Sequence, residues 1–331
     1  MESVRSFSKD ALRLDLAGEA DRIGRWIEQN LVAMKKRGLV VAFSGGIDSS
    51  VVGALAVRAL GPDKVFGLMM PEEDSSPETD QLGRAIIQHL GVEYSYENLT
   101  PILTGFGCYR RRDEAIRAVI PEYQADWKHK IVLPSVTESD MYRVYSIVAQ
   151  APDGRQIKAR LPLASYLQIV AATNFKQRTR KTLEYFHADR LNYAVAGTPN
   201  LLEYDQGFFV KLGDGSADLK PIAHLYKTQV YAMAEYLGVP EDIRRRQPTT
   251  DTYSLPQSQE EFYFSLPYDQ MDVCLYARNH GIPAAEVAGI LGLSPEQVER
   301  VFRDIDGKRR FAAYLHMEPQ RLPDAVSSVT G

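Results

Sequence analysis

The stretch Val40-Val41-Ala42-Phe43-Ser44-Gly45-Gly46-Ile47-Asp48-Ser49-Ser50 constrains what this chain can fold into more than any other. An apolar run of strand length stops at Ser-Gly-Gly, and an amphipathic run over residues 49–60 starts directly behind it. That order reads as a strand, a tight glycine turn and a helix N-terminus. The glycines let the backbone bend where a Cβ would clash, and they leave main-chain N–H groups uncovered. Those amides and the positive end of the helix dipole suit a phosphate or pyrophosphate. Ser44, Ser49 and Ser50 are placed to add hydroxyl donors. A bare carboxylate at Asp48 would repel phosphate, so its presence points to a Mg2+ ion shared with a nucleotide.

Ser-Gly-Gly-Ile-Asp-Ser resembles the pyrophosphate loop of the ATP pyrophosphatases, which split ATP into AMP and pyrophosphate. That superfamily includes NAD, GMP and asparagine synthetases and tRNA-modifying enzymes, so the loop implies the chemistry without the substrate. A glycine turn after a buried strand, with no ligand at all, is the plain alternative.

Composition narrows the classes. A chain of 331 residues suits one large domain, or one and a half, with an ample core. A net charge of -4 gives no electrostatic argument for nucleic acid as a partner. Its two cysteines, Cys108 and Cys274, have no metal-ligand spacing and fit a reducing compartment. No apolar run reaches membrane length, and the N-terminus lacks a signal-peptide core. The expectation is a cytoplasmic protein with no membrane contact.

Along the chain, residues 1–10 read as frayed, a helix runs from Asp15 to about Lys36, and residues 65–69 form a second strand. Two strands joined by a helix imply a right-handed parallel unit whose ligands bind beyond the strands' carboxyl ends. The acidic loop Pro71-Glu72-Glu73-Asp74-Ser75-Ser76-Pro77 falls on that edge. It is either part of an adenosine site, as its resemblance to NAD synthetases implies, or a solvated loop ending in a cap at Ser76. A helix over residues 78–90 and a strand over 92–96 follow. Residues 101–160 are an extended middle segment with alternating patterns around Tyr142, Val144 and Tyr145 and a hairpin turn at Pro152-Asp153-Gly154. This segment is a lid, a dimer arm or a substrate-selecting insertion.

A long helix from Ser165 carries Asn174-Phe175-Lys176-Gln177-Arg178-Thr179-Arg180, which is either a solvated basic face or a ligand contact. After a strand over 193–196, the acids Glu203, Asp214 and Asp218 lie among glycines and an aromatic pair, as hard ligands for Mg2+ near a triphosphate would. The pattern Gly-Thr-x-x-x-x-Glu-x-x-x-Gly-Phe-Phe-x-Lys-x-Gly-Asp-Gly-x-Ala-Asp is similar to the central motif of NAD synthetases and far more specific than the glycine loop. The resemblance covers roughly residues 20–310, apart from the middle segment.

What the resemblance implies is a parallel twisted sheet with helices on both faces, a Rossmann-like α/β fold, with a helical part near 270–318, all in one domain over 1–331. It implies ATP contacts from Ser44, Gly45, Gly46, Asp48, Ser49, Thr198, Lys227 and Thr249, and magnesium held by Asp48 and Glu203. Arg178, Lys211, Asp214, Asp218 and Lys308 are then contacts to deamido-NAD, and Asp48, Lys227 and Thr198 serve catalysis. Lys227 also reads as a plain solvated first-turn lysine. The pattern departs from the family at Pro199-Asn200, where Asp-His is frequent, and at Gly307-Lys308, where a histidine is missing. No cysteine nucleophile for glutamine hydrolysis is evident, so free ammonia or a separate ammonia-donating protein is implied. The resemblance also implies a homodimer.

Two other readings stay open. One is an adenylating amide ligase of the same superfamily acting on another carboxylate. The second is a non-catalytic helix-turn-helix binding protein using residues 284–303, which the mixed charges Glu296, Glu299, Arg300 and Arg303 disfavour against a packed helical hairpin.

Overall fold

The computed structural model describes residues 7–132, 145–249, 253–264 and 266–322. Helix α1 (Leu16–Met34) starts where Asp15 accepts the Gly18 amide, and it ends with Lys35 in the left-handed region at φ 57°. Strand β1 (Leu39–Ala42) follows, then α2 (Ile47–Leu60), β2 (Val65–Met69), α3 (Pro77–Leu90) and β3 (Glu93–Tyr96). Ser76 caps α3 by accepting the Thr79 amide, and Gly91 closes it at φ 65°.

Two short helices, α4 (Thr100–Gly105) and α5 (Cys108–Arg117), lead to an antiparallel meander of β4 (Lys128–Val132), β5 (Ser146–Gln150) and β6 (Gln156–Arg160). The hairpin read at Pro152-Asp153-Gly154 joins β5 to β6. Tyr142 and Val144 lie outside the described residues. The 29-residue α6 (Leu163–Leu191) then runs into β7 (Ala194–Ala196) and α7 (Leu201–Gln206). Helices α8 (Lys227–Tyr236), α9 (Glu241–Arg245), α10 (Tyr268–His280), α11 (Ala284–Leu291) and α12 (Pro295–His316) complete the chain.

The central sheet is parallel, in the order β3-β2-β1-β7. Because β1 is flanked by β2 on one side and β7 on the other, the chain reverses its winding there. The carboxyl ends of β1 and β7 therefore border the crevice where such sheets take ligands. Strand β1 is buried on both faces. Leu39 and Val41 enter a core with α1, α2 and α8, while Val40 joins Phe66, Leu99 and Val195 on the opposite face. Each such side chain contributes about 1.5–3 kcal/mol of burial, which explains an unbroken apolar run where a half-exposed strand would alternate.

The meander forms its own core with α5 and the start of α6, through Ile116, Ile131, Ile147 and Ile169. The C-terminal helices form another around Met271, Val287, Val301 and Phe302. Residues 284–303 are thus a hairpin with its apolar side buried, and α12 is far longer than a recognition helix. Residues 7–10 correct the frayed N-terminus expected over 1–10, of which 1–6 lie outside the described residues. Lys9–Leu12 is a 3-10 turn capped by Ser8, and Phe7 stacks on Tyr276 at 5.7 Å between centroids. Among the described residues no helix is long and apolar enough to cross a membrane.

Candidate active site

The turn between β1 and α2 is built on Gly45, whose φ of +67° favours glycine and whose Cβ would lie 2.7 Å from the Thr79 carbonyl oxygen. Only glycine lets the loop settle onto the start of α3. Ser44 and Ser49 face each other at 3.3 Å between hydroxyl oxygens. Ser50, expected to point at an anion, instead donates to the Gly46 carbonyl at 2.8 Å and is buried. That bond is the ordinary i−4 return of a helix-start serine, so Ser50 serves the turn.

The loop opens on a cavity of about 710 Å3 that runs from the ends of β1, β2 and β7 to α6 and the C-terminal end of α12. Ser44, Gly46, Asp48, Ser49, Thr198 and Glu203 line one end, with Thr249 beside them. Arg178, Lys211 and Asp214 line it further along. The carboxylates of Asp48, in the first turn of α2, and Glu203, in α7, thus share one space.

Asn200 links them. Its side-chain amide donates to Asp48 Oδ1 at 3.0 Å, while its Oδ1 accepts the Glu203 amide at 3.2 Å as the cap of α7. Glu203 completes the capping box by accepting the Asn200 amide at 3.1 Å, and Gln259 donates to its other oxygen at 3.2 Å. Burial, and then the charge of Asp48, pushes the Glu203 carboxyl well above the usual range. Lys227 is fully buried at the start of α8 and gives its ammonium to Asp48. Burial works against that charge, but Asp48 and Glu203 outweigh it and raise the lysine. Asp272 sets the start of α8 by accepting the amides of Lys227 and Thr228 at 3.2 and 2.7 Å. Its own carboxyl is pushed up to about 6 by burial, against the pull of those donors.

Among the described residues no three His, Cys, Asp or Glu side chains converge on a point. Two mutually repelling carboxylates beside an anion loop do fit a hard cation that takes its remaining oxygens from a nucleotide and water, as Mg2+ does.

Other predicted contacts are engaged elsewhere. Asp218 does not line the cavity; it accepts the Val195 amide at 2.8 Å and the Tyr185 hydroxyl at 3.3 Å, pinning the loop to β7. Lys308 donates to the Tyr263 carbonyl at 2.6 Å and pairs with Asp304. Lys211 caps the end of α12 through the carbonyls of Tyr314 and Met317, both at 2.8 Å. Of the acidic loop's carboxylates only Glu73 is solvated, and the loop borders the cavity through Pro71 and Ser75 and not through its acids. Glu72 and Asp74 are buried against Lys176, at 3.0 and 2.6 Å, and Arg112 adds a second cation on Asp74 at 2.6 Å. Lys176 is therefore part of a buried ion cluster, while Arg178 and Arg180 from the same run reach the cavity. Cys108 is buried, donates to the Ala172 carbonyl, and its thiol is pushed up to about 11 by burial.

Sequence reading missed Lys181 and Glu184, a cavity-lining pair at 2.6 Å whose side chains are almost wholly buried. It also missed Tyr145 and Tyr166, whose rings stack at 4.2 Å on the wall nearest the meander. The i, i+3 spacing of Lys181 and Glu184 was the visible signal, but it looks the same on a solvated face.

A glycine loop at the reversal point of a parallel sheet, with two acids and a lysine beside it, defines a nucleotide-binding α/β protein of Rossmann-like type. The family model of NAD synthase matches residues 19–125 and 128–311. The NH(3)-dependent NAD(+) synthetase of Rhizobium meliloti (strain 1021) is 59% identical over 314 residues, 95% of this chain and 94% of that one. The synthetase of that name from Thermotoga maritima is 33% identical over 86% of this chain and 94% of its own length. The chain belongs to the NAD synthase family. Among solved structures, the NH3-dependent NAD synthetase from Campylobacter jejuni is similar in fold, with a TM-score of 0.61 at 21% identity, covering 93% of this chain and 100% of that one. NMN synthetase from Francisella tularensis has a TM-score of 0.63 at 19% identity, covering 94% and 100%.

Proposed function

We propose that this chain is an ammonia-dependent NAD synthetase, converting deamido-NAD, ATP and ammonia to NAD, AMP and pyrophosphate. The observation that carries the reading is 59% identity to a synthetase of that name over 95% of the chain. In the reaction, a nicotinate carboxylate oxygen bonds to the α-phosphorus as the α–β bridging bond breaks and pyrophosphate leaves. Ammonia then attacks the acyl carbon, the C–O bond to AMP breaks, and the nitrogen sheds a proton.

The residues act by holding charge and position. The glycine-loop amides with Ser44 and Ser49 take the phosphates, Lys227 balances charge beside Asp48, and Thr198 and Thr249 border the nucleotide. Asp48 and Glu203 would hold Mg2+, which when bound neutralises polyphosphate charge. Arg178, Lys211 and Asp214 would face the dinucleotide. Lys211 must leave the α12 carbonyls to do so, and Asp218 and Lys308 would support the wall from behind. The exposed apolar residues Leu163 and Leu167, one turn apart at the start of α6, support a homodimer contact there.

The test is product analysis with deamido-NAD, ATP, ammonium and Mg2+, alongside competing acids such as nicotinate mononucleotide. Equimolar NAD, AMP and pyrophosphate are expected, and Asp48→Asn should abolish all three. Pyrophosphate released only with a different acid would overturn the substrate assignment.

A further inference from the structure

Arg246 follows α9 and precedes Pro248 and Thr249, which border the same cavity. It is the third of three consecutive arginines, and the fold treats it differently from the other two. Arg244 donates to the Val239 carbonyl, and Arg245 is an exposed i+4 partner of Glu241. The side chain of Arg246 is only 10% exposed and lines the cavity at the glycine-loop end. Its Nη2 donates to Thr79 Oγ1 at 2.8 Å. Thr79 is also the residue whose carbonyl lies under Gly45, so one residue seats the loop and holds the guanidinium beside it.

One further donor is unsatisfied. Nε is buried and has no hydrogen-bond acceptor among the described residues; its ion pair with the exposed Glu78 carboxylate, at 3.4 Å, is too poorly aligned to be a hydrogen bond. A buried donor without an acceptor is costly, and a guanidinium is built to bind two oxygens of one phosphate at once. Local charge points the same way. Asp48 and Glu203 line this end, Asp80 lines it with one oxygen paired to Arg84 at 2.9 Å, and the ammonium of Lys227 is held by Asp48. With Mg2+ on Asp48 and Glu203 as proposed above, the Arg246 guanidinium is a further cation beside the place where the polyphosphate would lie.

We propose that Arg246 is a further substrate-binding residue, giving its guanidinium to the polyphosphate of ATP and to the pyrophosphate that leaves. The inference rests on the ATP-cleaving reading above and adds a residue that the sequence motifs did not supply.

The test compares Arg246→Gln, Arg246→Lys and Thr79→Val with the full-length enzyme, measuring pyrophosphate affinity by calorimetry with Mg2+ and the KM of each substrate. Arg246→Gln should weaken pyrophosphate and raise the KM for ATP about tenfold or more, with the KM for deamido-NAD within about twofold. Arg246→Lys should recover part of the loss. Thr79→Val removes the tether but keeps the charge, and should hold pyrophosphate affinity within about threefold. Pyrophosphate affinity unchanged in Arg246→Gln overturns the proposal. So does a Thr79→Val loss equal to that of Arg246→Gln, because the arginine would then only brace α3. Pyrophosphate binding is read without deamido-NAD, so a wild-type enzyme that makes no NAD would sink the functional reading while leaving this comparison intact.

Discussion

Asn200 donates its side-chain amide to Asp48 Oδ1 at 3.0 Å while capping the helix that carries Glu203. One buried amide thereby fixes the relative position of two carboxylates from different helices, at a place where the chain departs from the commoner family residues.

The two roles of Asn200 separate by mutation. Asn200→Ser keeps an oxygen for the Glu203 amide but is too short to reach Asp48. It should fold with a loss under about 1 kcal/mol and lower kcat/KM by at least about tenfold. Asn200→Ala should show the same activity loss plus the missing cap, about 1 kcal/mol more unstable in urea titration. Full activity in Asn200→Ser would mean that Asp48 is placed without this bond.

Lys176 is expected to be a stability residue. Removing it leaves Glu72 and Asp74 buried with Arg112 as the neighbouring cation, and breaking a buried pair costs about 3–5 kcal/mol. Lys176→Ala should therefore lower the melting temperature sharply, while protein that remains folded keeps its KM for ATP. A stable Lys176→Ala with a raised KM would return this lysine to the substrate site.

His129 predicts a loss of stability on mild acidification. The ring is fully buried, with Nδ1 3.1 Å from both the Tyr123 hydroxyl and Ser254 Oγ. Burial, then the charge of Arg112, pushes its pKa down from the ordinary 6.5 to about 3. Between those values the unfolded chain carries a proton that the folded chain does not. Stability is thus fully present above pH 6.5 and falls with pH, by up to about 1.4 kcal/mol per unit. Urea titrations from pH 6.5 to 4 should show this slope, and His129→Gln should flatten it; an equal slope in the variant would assign it to the carboxylates.

What the sequence made legible was local. The loop from β1 into α2 could be read because an apolar run, two glycines and a helix start each restrict the backbone in the same direction. The hairpin at Pro152-Asp153-Gly154 and the cap at Ser76 were visible for the same reason. Charges were not. Lys176 meets Glu72 across 104 positions, and nothing near either residue announces the other. Arg246 looks like its neighbours Arg244 and Arg245 until the fold buries one of the three. A motif gives the residue type that a site needs, whereas the direction of a long side chain is set by what packs opposite it.

Lys181 and Glu184 carry the last prediction, because a buried ion pair on a cavity wall can be a packing device or a binding one. Burial pushes the Glu184 carboxyl up and Lys181 pulls it down. Lys181→Met should therefore destabilise by about 3 kcal/mol or more, as the stranded acid loses its partner. Lys181→Met with Glu184→Leu replaces both charges by apolar groups of similar size and should regain most of that stability. The pair lines the cavity together with Arg178 and Asp214, so the rescued double variant should still show a KM for the dinucleotide raised about fivefold or more. Measuring unfolding and kinetics on the same samples decides the matter: stability and KM both returning to wild-type values would make the pair part of the wall alone.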